Sequence, residues 1–155
     1  MTAIDQRSEL ARAFWLALLL NFIWINVSEV WRYFQIVRPM LLETFPDQVG
    51  IGAVTPGIFV SWMVWDTILI LAATGFYWLW LAKFRLGPLH VILSSLCFTV
   101  TVFGLIWLGI ANMGLAPPRF IWSALPLAWI EQAVAAALTL WSIRRVAQSS
   151  GKVGN

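Results

Sequence analysis

The chain has 155 residues, 61% of them hydrophobic and only 11% charged, with a formal net charge of +3. A soluble domain is about half apolar and a quarter charged, so this balance excludes an ordinary water-soluble fold. The basic residues are scattered rather than gathered in a patch, which argues against nucleic acid as a partner, and the lone Cys97 allows no intrachain disulfide.

Four apolar runs reach the roughly 20 residues that a helix needs to cross a bilayer. They cover residues 13–34, 58–82, 89–111 and 120–143. The segment before and into the first, MTAIDQRSELARAFW, starts like a signal peptide, with charges followed by an apolar run. That run is too long for a signal core and continues into Asn21, Asn26 and Glu29 without a small-residue cleavage site, so a retained first helix is expected. On that helix Asn21, Ser28, Glu29 and Arg32 share an arc of about 100°.

The first loop contains VRPMLLETF, with Pro39 suited to a helix start. Val37, Met40, Leu41 and Phe45 would let it lie on the membrane surface as a short interfacial helix. An ordinary loop with a few apolar residues fits the same stretch.

In the second run, WMVWDTILI sets Asp66 among tryptophans and aliphatics. One reading places Asp66 inside the membrane, ion-paired with Arg32 across the first two helices, because an unpaired carboxylate at that depth costs several kcal/mol. The other starts the helix at Asp66, as a cap, with Trp62 and Trp65 in the interfacial belt. The apolar stretch from Ile58 favours the first.

The third run alternates small and polar residues four and three apart: His90, Ser94, Cys97, Thr101, Gly104, Leu108 and Ala111. This is the pattern of a packed seam. In the fourth, Ala124, Ala128, Ala135, Thr139 and Ser142 fall within about 80° of Glu131 at 3.6 residues per turn, with Trp122 and Trp129 on the far side. Glu131 is therefore expected to face protein, one turn after a helix-breaking Pro126. The tail over 146–155, VAQSSGKVGN, reads as disordered.

Arg7, Arg12, Lys83, Arg85, Arg144, Arg145 and Lys152 lie on one side of such a four-span chain, against Arg32, Arg38 and Arg119 on the other. By the positive-inside rule both termini are expected in the cytoplasm. At about 1.5 Å per residue, Glu29 and Asp66 rise to about 25 Å above the cytoplasmic helix ends and Glu131 to about 18 Å. The candidate site is thus Glu29, Arg32, Asp66 and Glu131 in the outer half, with Asn26, Asn112, Trp62 and Trp107 beside them. Trp24 and Trp129 fall in the same half.

One histidine and one cysteine do not make a zinc, di-iron or bis-histidine haem site, though single-histidine haem ligation by His90 stays open. Ser94, Ser95, Cys97 and Thr101 have no base at a recognisable spacing, so an enzyme is the least supported class. The expected protein is an all-α integral membrane protein, one membrane domain forming an antiparallel four-helix transmembrane bundle in the inner membrane. Intramembrane ionisable residues mark functional sites by default. The expected activity is binding of a small amphipathic or apolar ligand among the outer tryptophans and carboxylates, with no cofactor indicated. The alternatives are a proton-coupled small transporter and an accessory or assembly subunit of a larger membrane complex. Expected partners are the lipid bilayer, a small hydrophobic ligand, and a second copy or a larger complex.

Overall fold

The computed structural model describes residues 3–151 apart from 48, 51, 53, 85 and 116. Helix α1 (Ala3–Arg32) passes through a π-helical turn (Tyr33–Val37) directly into α2 (Arg38–Thr44), and α3 (Pro56–Lys83) follows. Helix α4 (Pro88–Phe98) passes through a second π-helical segment (Thr99–Gly104) into α5 (Leu105–Asn112), and α6 (Pro118–Gly151) closes the chain. These elements make four rods, each long and apolar enough to cross a membrane. The protein is an all-α, multi-pass membrane bundle.

The short helix at Pro39 therefore exists, as the extension of the first rod. Proline has no N–H to donate and its ring crowds the carbonyl four residues back. The turn ahead of it widens, so that the Arg38 N–H reaches the Tyr33 carbonyl. Helix α3 starts earlier than the capping reading of Asp66 requires. The Thr55 hydroxyl accepts from the Ile58 N–H at 3.3 Å and Pro56 occupies the first turn. Asp66 lies about three turns further on, in mid-helix, so it caps nothing.

Helix α6 packs on α1, α3 and α4, and α3 packs on α1 and α4 as well. Among the described residues α1 and α4 do not meet, so α3 and α6 form the short diagonal of the bundle. Small side chains make this close approach feasible. Ala13, Ala17, Asn21 and Ile25 form a buried row four apart on α1, and Ala128, Ala135, Ala136, Thr139 and Ser142 are buried on α6. The outer faces carry the large apolar residues, such as Trp15, Leu19, Val27, Ile68 and Trp122, the last 79% exposed. A surface of this kind is stable against lipid and not against water.

The two ends of the bundle are identified by cross-links between rods. At the end holding the chain termini, Phe14 meets Trp78 edge-on at 5.5 Å and Arg144 Nη2 donates to the Leu86 carbonyl at 2.8 Å. At the opposite, distal end, Arg119 Nη2 donates to Thr44 Oγ1 at 2.9 Å and Arg38 Nε to the Gly52 carbonyl at 3.1 Å.

Two expectations are corrected. The third rod does not bury the seam of His90, Cys97, Thr101 and Leu108. It buries Val91, Ser94, Ser95, Phe98, Thr99, Phe103 and Gly104, while Thr101 and Leu108 face outward. The extra residue of the π-helical segment rotates the later half of the rod, and Thr101 spends its hydroxyl on the Cys97 carbonyl at 2.7 Å. Aromatic packing supplies the seam instead, with Phe98 at 5.6 Å from both Phe76 and Tyr77. The second correction concerns the tail. Helix α6 continues to Gly151, since adding residues to a formed helix costs little and no breaker intervenes; residues 152–155 lie outside those described.

The rotated seam is tested by paired truncations. Phe98→Ala is expected to lower unfolding stability in detergent by about 3–5 kcal/mol. Leu108→Ala is expected to stay within about 0.5 kcal/mol; equal losses at the two positions contradict the rotation.

Candidate functional site

Near the distal end the rods separate around a cavity of about 240 Å³. The first rod contributes Glu29, Arg32 and Tyr33, α3 contributes Trp62, Trp65 and Asp66, and the third rod contributes Phe103, Ile106 and Trp107. Ala124 and Ala128 of α6 form the floor, their short side chains leaving the space open. Tyr33 and Trp62 stand at 80° to one another with centroids 4.3 Å apart, making a corner of aromatic wall.

Arg32 is the hinge of the site. Its Nη2 is hydrogen-bonded to Glu29 Oε1 one turn earlier, and its Nη1 lies 3.6 Å from Glu131 Oε2 across the α1–α6 interface. Glu131 is 2% exposed and its Oε2 has no hydrogen-bond donor. Its Oε1 accepts from Gln132 Nε2 at 3.2 Å, and Gln132 Oε1 accepts from the Tyr77 hydroxyl at 2.7 Å. A chain of polar contacts therefore runs from Glu29 at the cavity wall through Arg32, Glu131 and Gln132 to Tyr77 in the bundle core. Trp24 Nε1 donates to the Glu131 carbonyl at 2.9 Å and ties α1 to α6 beside it. One layer nearer the termini, Asn21 Nδ2 donates to Thr74 Oγ1 at 3.0 Å and to Thr139 Oγ1 at 3.1 Å.

Two further hollows meet at Arg32. One of about 280 Å³ is almost wholly apolar, between α2 (Ile36 from the turn before it, Met40, Leu41) and Leu115, Phe120 and Leu127. The other, about 300 Å³, is a lateral groove between α1 and α6 lined by Trp24, Trp31, Ser28, Leu127, Ile130 and Glu131. A polar anchor with apolar space on two sides is the arrangement an amphipathic molecule requires.

Five of the residues singled out in the sequence, Glu29, Arg32, Asp66, Trp62 and Trp107, line the one cavity. Glu131 sits beneath it, joined through Arg32. Asn26 does not take part: its Nδ2 turns back to the Phe22 carbonyl at 2.8 Å. Asn112 is exposed at the end of α5. The expected Asp66–Arg32 ion pair is not formed. Asp66 faces the same cavity, within electrostatic reach of Arg32 and Glu29, but makes no hydrogen bond or ion pair with any described residue. Arg32 instead makes its ion pairs with Glu29 on its own helix and Glu131 on α6. Gln132, Tyr33 and Trp65 were not legible as site residues. A glutamine beside a glutamate gives no periodicity of its own, and the tryptophan resembles a belt residue.

The chain matches no protein-family profile, no curated protein and no solved structure. The site's own geometry is therefore the basis for a functional reading.

Removing one member of a buried ion pair strands the other and typically costs about 3–5 kcal/mol. Arg32→Gln is expected to destabilise on that scale, and Glu131→Gln added to it should recover much of the loss. The Arg32–Asp66 double-mutant cycle should show a coupling well under half as large. A stronger coupling to Asp66 than to Glu131 in unfolding measurements contradicts the arrangement.

Proposed function

We propose that this protein is a membrane-embedded binding protein that holds a small amphipathic molecule in the distal cavity, with its polar part among the charged groups Glu29, Arg32 and Asp66. The observation that carries the reading is the meeting of one charged anchor with aromatic walls and two apolar hollows. Charged groups are costly in a membrane and face cavities or partners when they have a role. Aromatic and apolar walls with a few convergent polar groups are the usual construction of a small-molecule site.

A second reading, proton-coupled transport, is favoured by the buried line Glu131–Gln132–Tyr77, which leads from the cavity into the core. In that reading the second copy or larger complex would supply additional helices. The distal end is read as facing away from the cytoplasm, in the inner membrane, because the termini end carries the larger share of Lys and Arg.

The binding reading is tested by extracting protein purified in mild detergent and analysing the extract by mass spectrometry. A compound retained in near-stoichiometric amount by the wild type, and lost from Trp107→Ala, is expected. Extracts of wild type and Trp107→Ala that are indistinguishable would count against it. For the orientation, reporter fusions after Ser150 and within residues 48–54 should report opposite sides of the membrane; the same side for both is the contrary result.

A further inference from the structure

Resting on the binding reading, we propose that the molecule held in the distal cavity is an organic cation, a quaternary or protonated amine with an apolar substituent. The inference begins from Asp66. It is a half-buried carboxylate in the middle of a membrane helix, and no described residue pairs with it. Charges at such positions are ordinarily matched. Arg32, on the same cavity wall, makes its ion pairs with Glu29 and Glu131 and acts on Asp66 only at a distance. The partner that Asp66 lacks is a positive charge from outside the chain.

The count of charges supports the same sign. Glu29, Asp66 and Glu131 are three carboxylates set against one guanidinium, so the site as built has two more acidic than basic groups. The walls select the kind of cation. Tyr33, Trp62, Trp65 and Trp107 line the same cavity as Asp66, and the perpendicular Tyr33 and Trp62 rings form a corner of its wall. Aromatic faces attract cations, and attract most strongly those too weakly hydrated to prefer water, as alkylammonium ions are. An anion would face Asp66 and Glu29 in the same cavity, where Arg32 already makes ion pairs with Glu29 and Glu131. An uncharged ligand would leave Asp66 unmatched.

Three probes of similar shape separate these cases: benzyltrimethylammonium, its uncharged isostere neopentylbenzene, and phenylmethanesulfonate. Binding to wild-type protein in nanodiscs is followed by tryptophan fluorescence, corrected for partition into empty discs. The cation is expected to bind at least about tenfold tighter than either other probe, a difference of about 1.4 kcal/mol. Asp66→Asn should weaken the cation about tenfold and the isostere by less than about threefold, the loss expected when a charge partner in an aromatic site is removed. Trp107→Leu should weaken the cation, and the lipid-facing Trp122→Leu should not. Folding of every variant is checked by gel filtration and helical circular dichroism, and Trp107→Leu carries the test if Asp66→Asn is misfolded. Equal or tighter binding of the isostere, with no effect of Asp66→Asn, overturns the cation assignment and leaves the binding reading standing. Binding of none of the three overturns the assignment too, while the extraction experiment judges the binding reading separately.

Discussion

The guanidinium of Arg32, held between Glu29 on its own helix and Glu131 on α6, is the interaction on which the distal half of the bundle depends. Neither charge is tolerable alone in an apolar interior, so each helix is committed to the other at this depth. The same contact fixes what lies around it. Immediately after Arg32 the first rod widens into its π-helical turn, which carries Tyr33 into the cavity wall against Trp62. Trp24 adds a second tie to the Glu131 backbone, and Gln132 relays the carboxylate to Tyr77 on α3.

This contact outranks the other polar ones. Hydrogen bonds between membrane helices average about 0.6 kcal/mol and rarely exceed about 1.7, because helices separated in the bilayer find other partners. The Asn21 layer with Thr74 and Thr139 therefore specifies how α1, α3 and α6 are rotated more than how tightly they hold. Close packing of the alanine rows does most of the holding. Breaking the buried charge pair costs about 3–5 kcal/mol, several such hydrogen bonds together. A protein that needed only a stable bundle would gain little from it, since well-packed apolar residues commonly do as well. That is the physical case for a site at this end.

The division between what the chain reveals and what it hides follows from the range of the causes. Four spans and their apolar exteriors come from composition and length, which are local and additive. The inward stripe of α6 was legible because Ala124, Ala128, Glu131, Ala135, Thr139 and Ser142 keep a 3.6-residue period; all are buried except the half-buried Ala124, which lines the cavity. The later half of the third rod misled because its period breaks where the helix does, within Thr99–Gly104, and no residue type announces such a turn; in the earlier half the face was already turned toward Val91, Ser95 and Phe98. Bulky Phe98 and Phe103 then take places that small residues seemed to claim. The partner of Asp66 was misjudged for a different reason. Depth and face placed it near Arg32, but the choice among three carboxylates competing for one guanidinium is decided by tertiary geometry. The i, i+3 neighbour Glu29 and the wholly buried Glu131 win that competition.

The proposed site requires that the aromatic-walled distal cavity, with its excess of carboxylates, be reachable from the water on that side. This requirement is tested most directly by cysteine accessibility in a Cys97→Ala background, with single cysteines at positions 65, 107, 73 and 122. Membrane-impermeant methanethiosulfonates are applied from the side opposite the chain termini, one carrying a trimethylammonium group and one a sulfonate. The account predicts labelling at 65 and 107 but not at the buried 73 or the lipid-facing 122, with the cationic reagent reacting faster than the anionic one by well over the ratio seen for free cysteine. No labelling at 65 and 107, or faster reaction with the sulfonate, would contradict it.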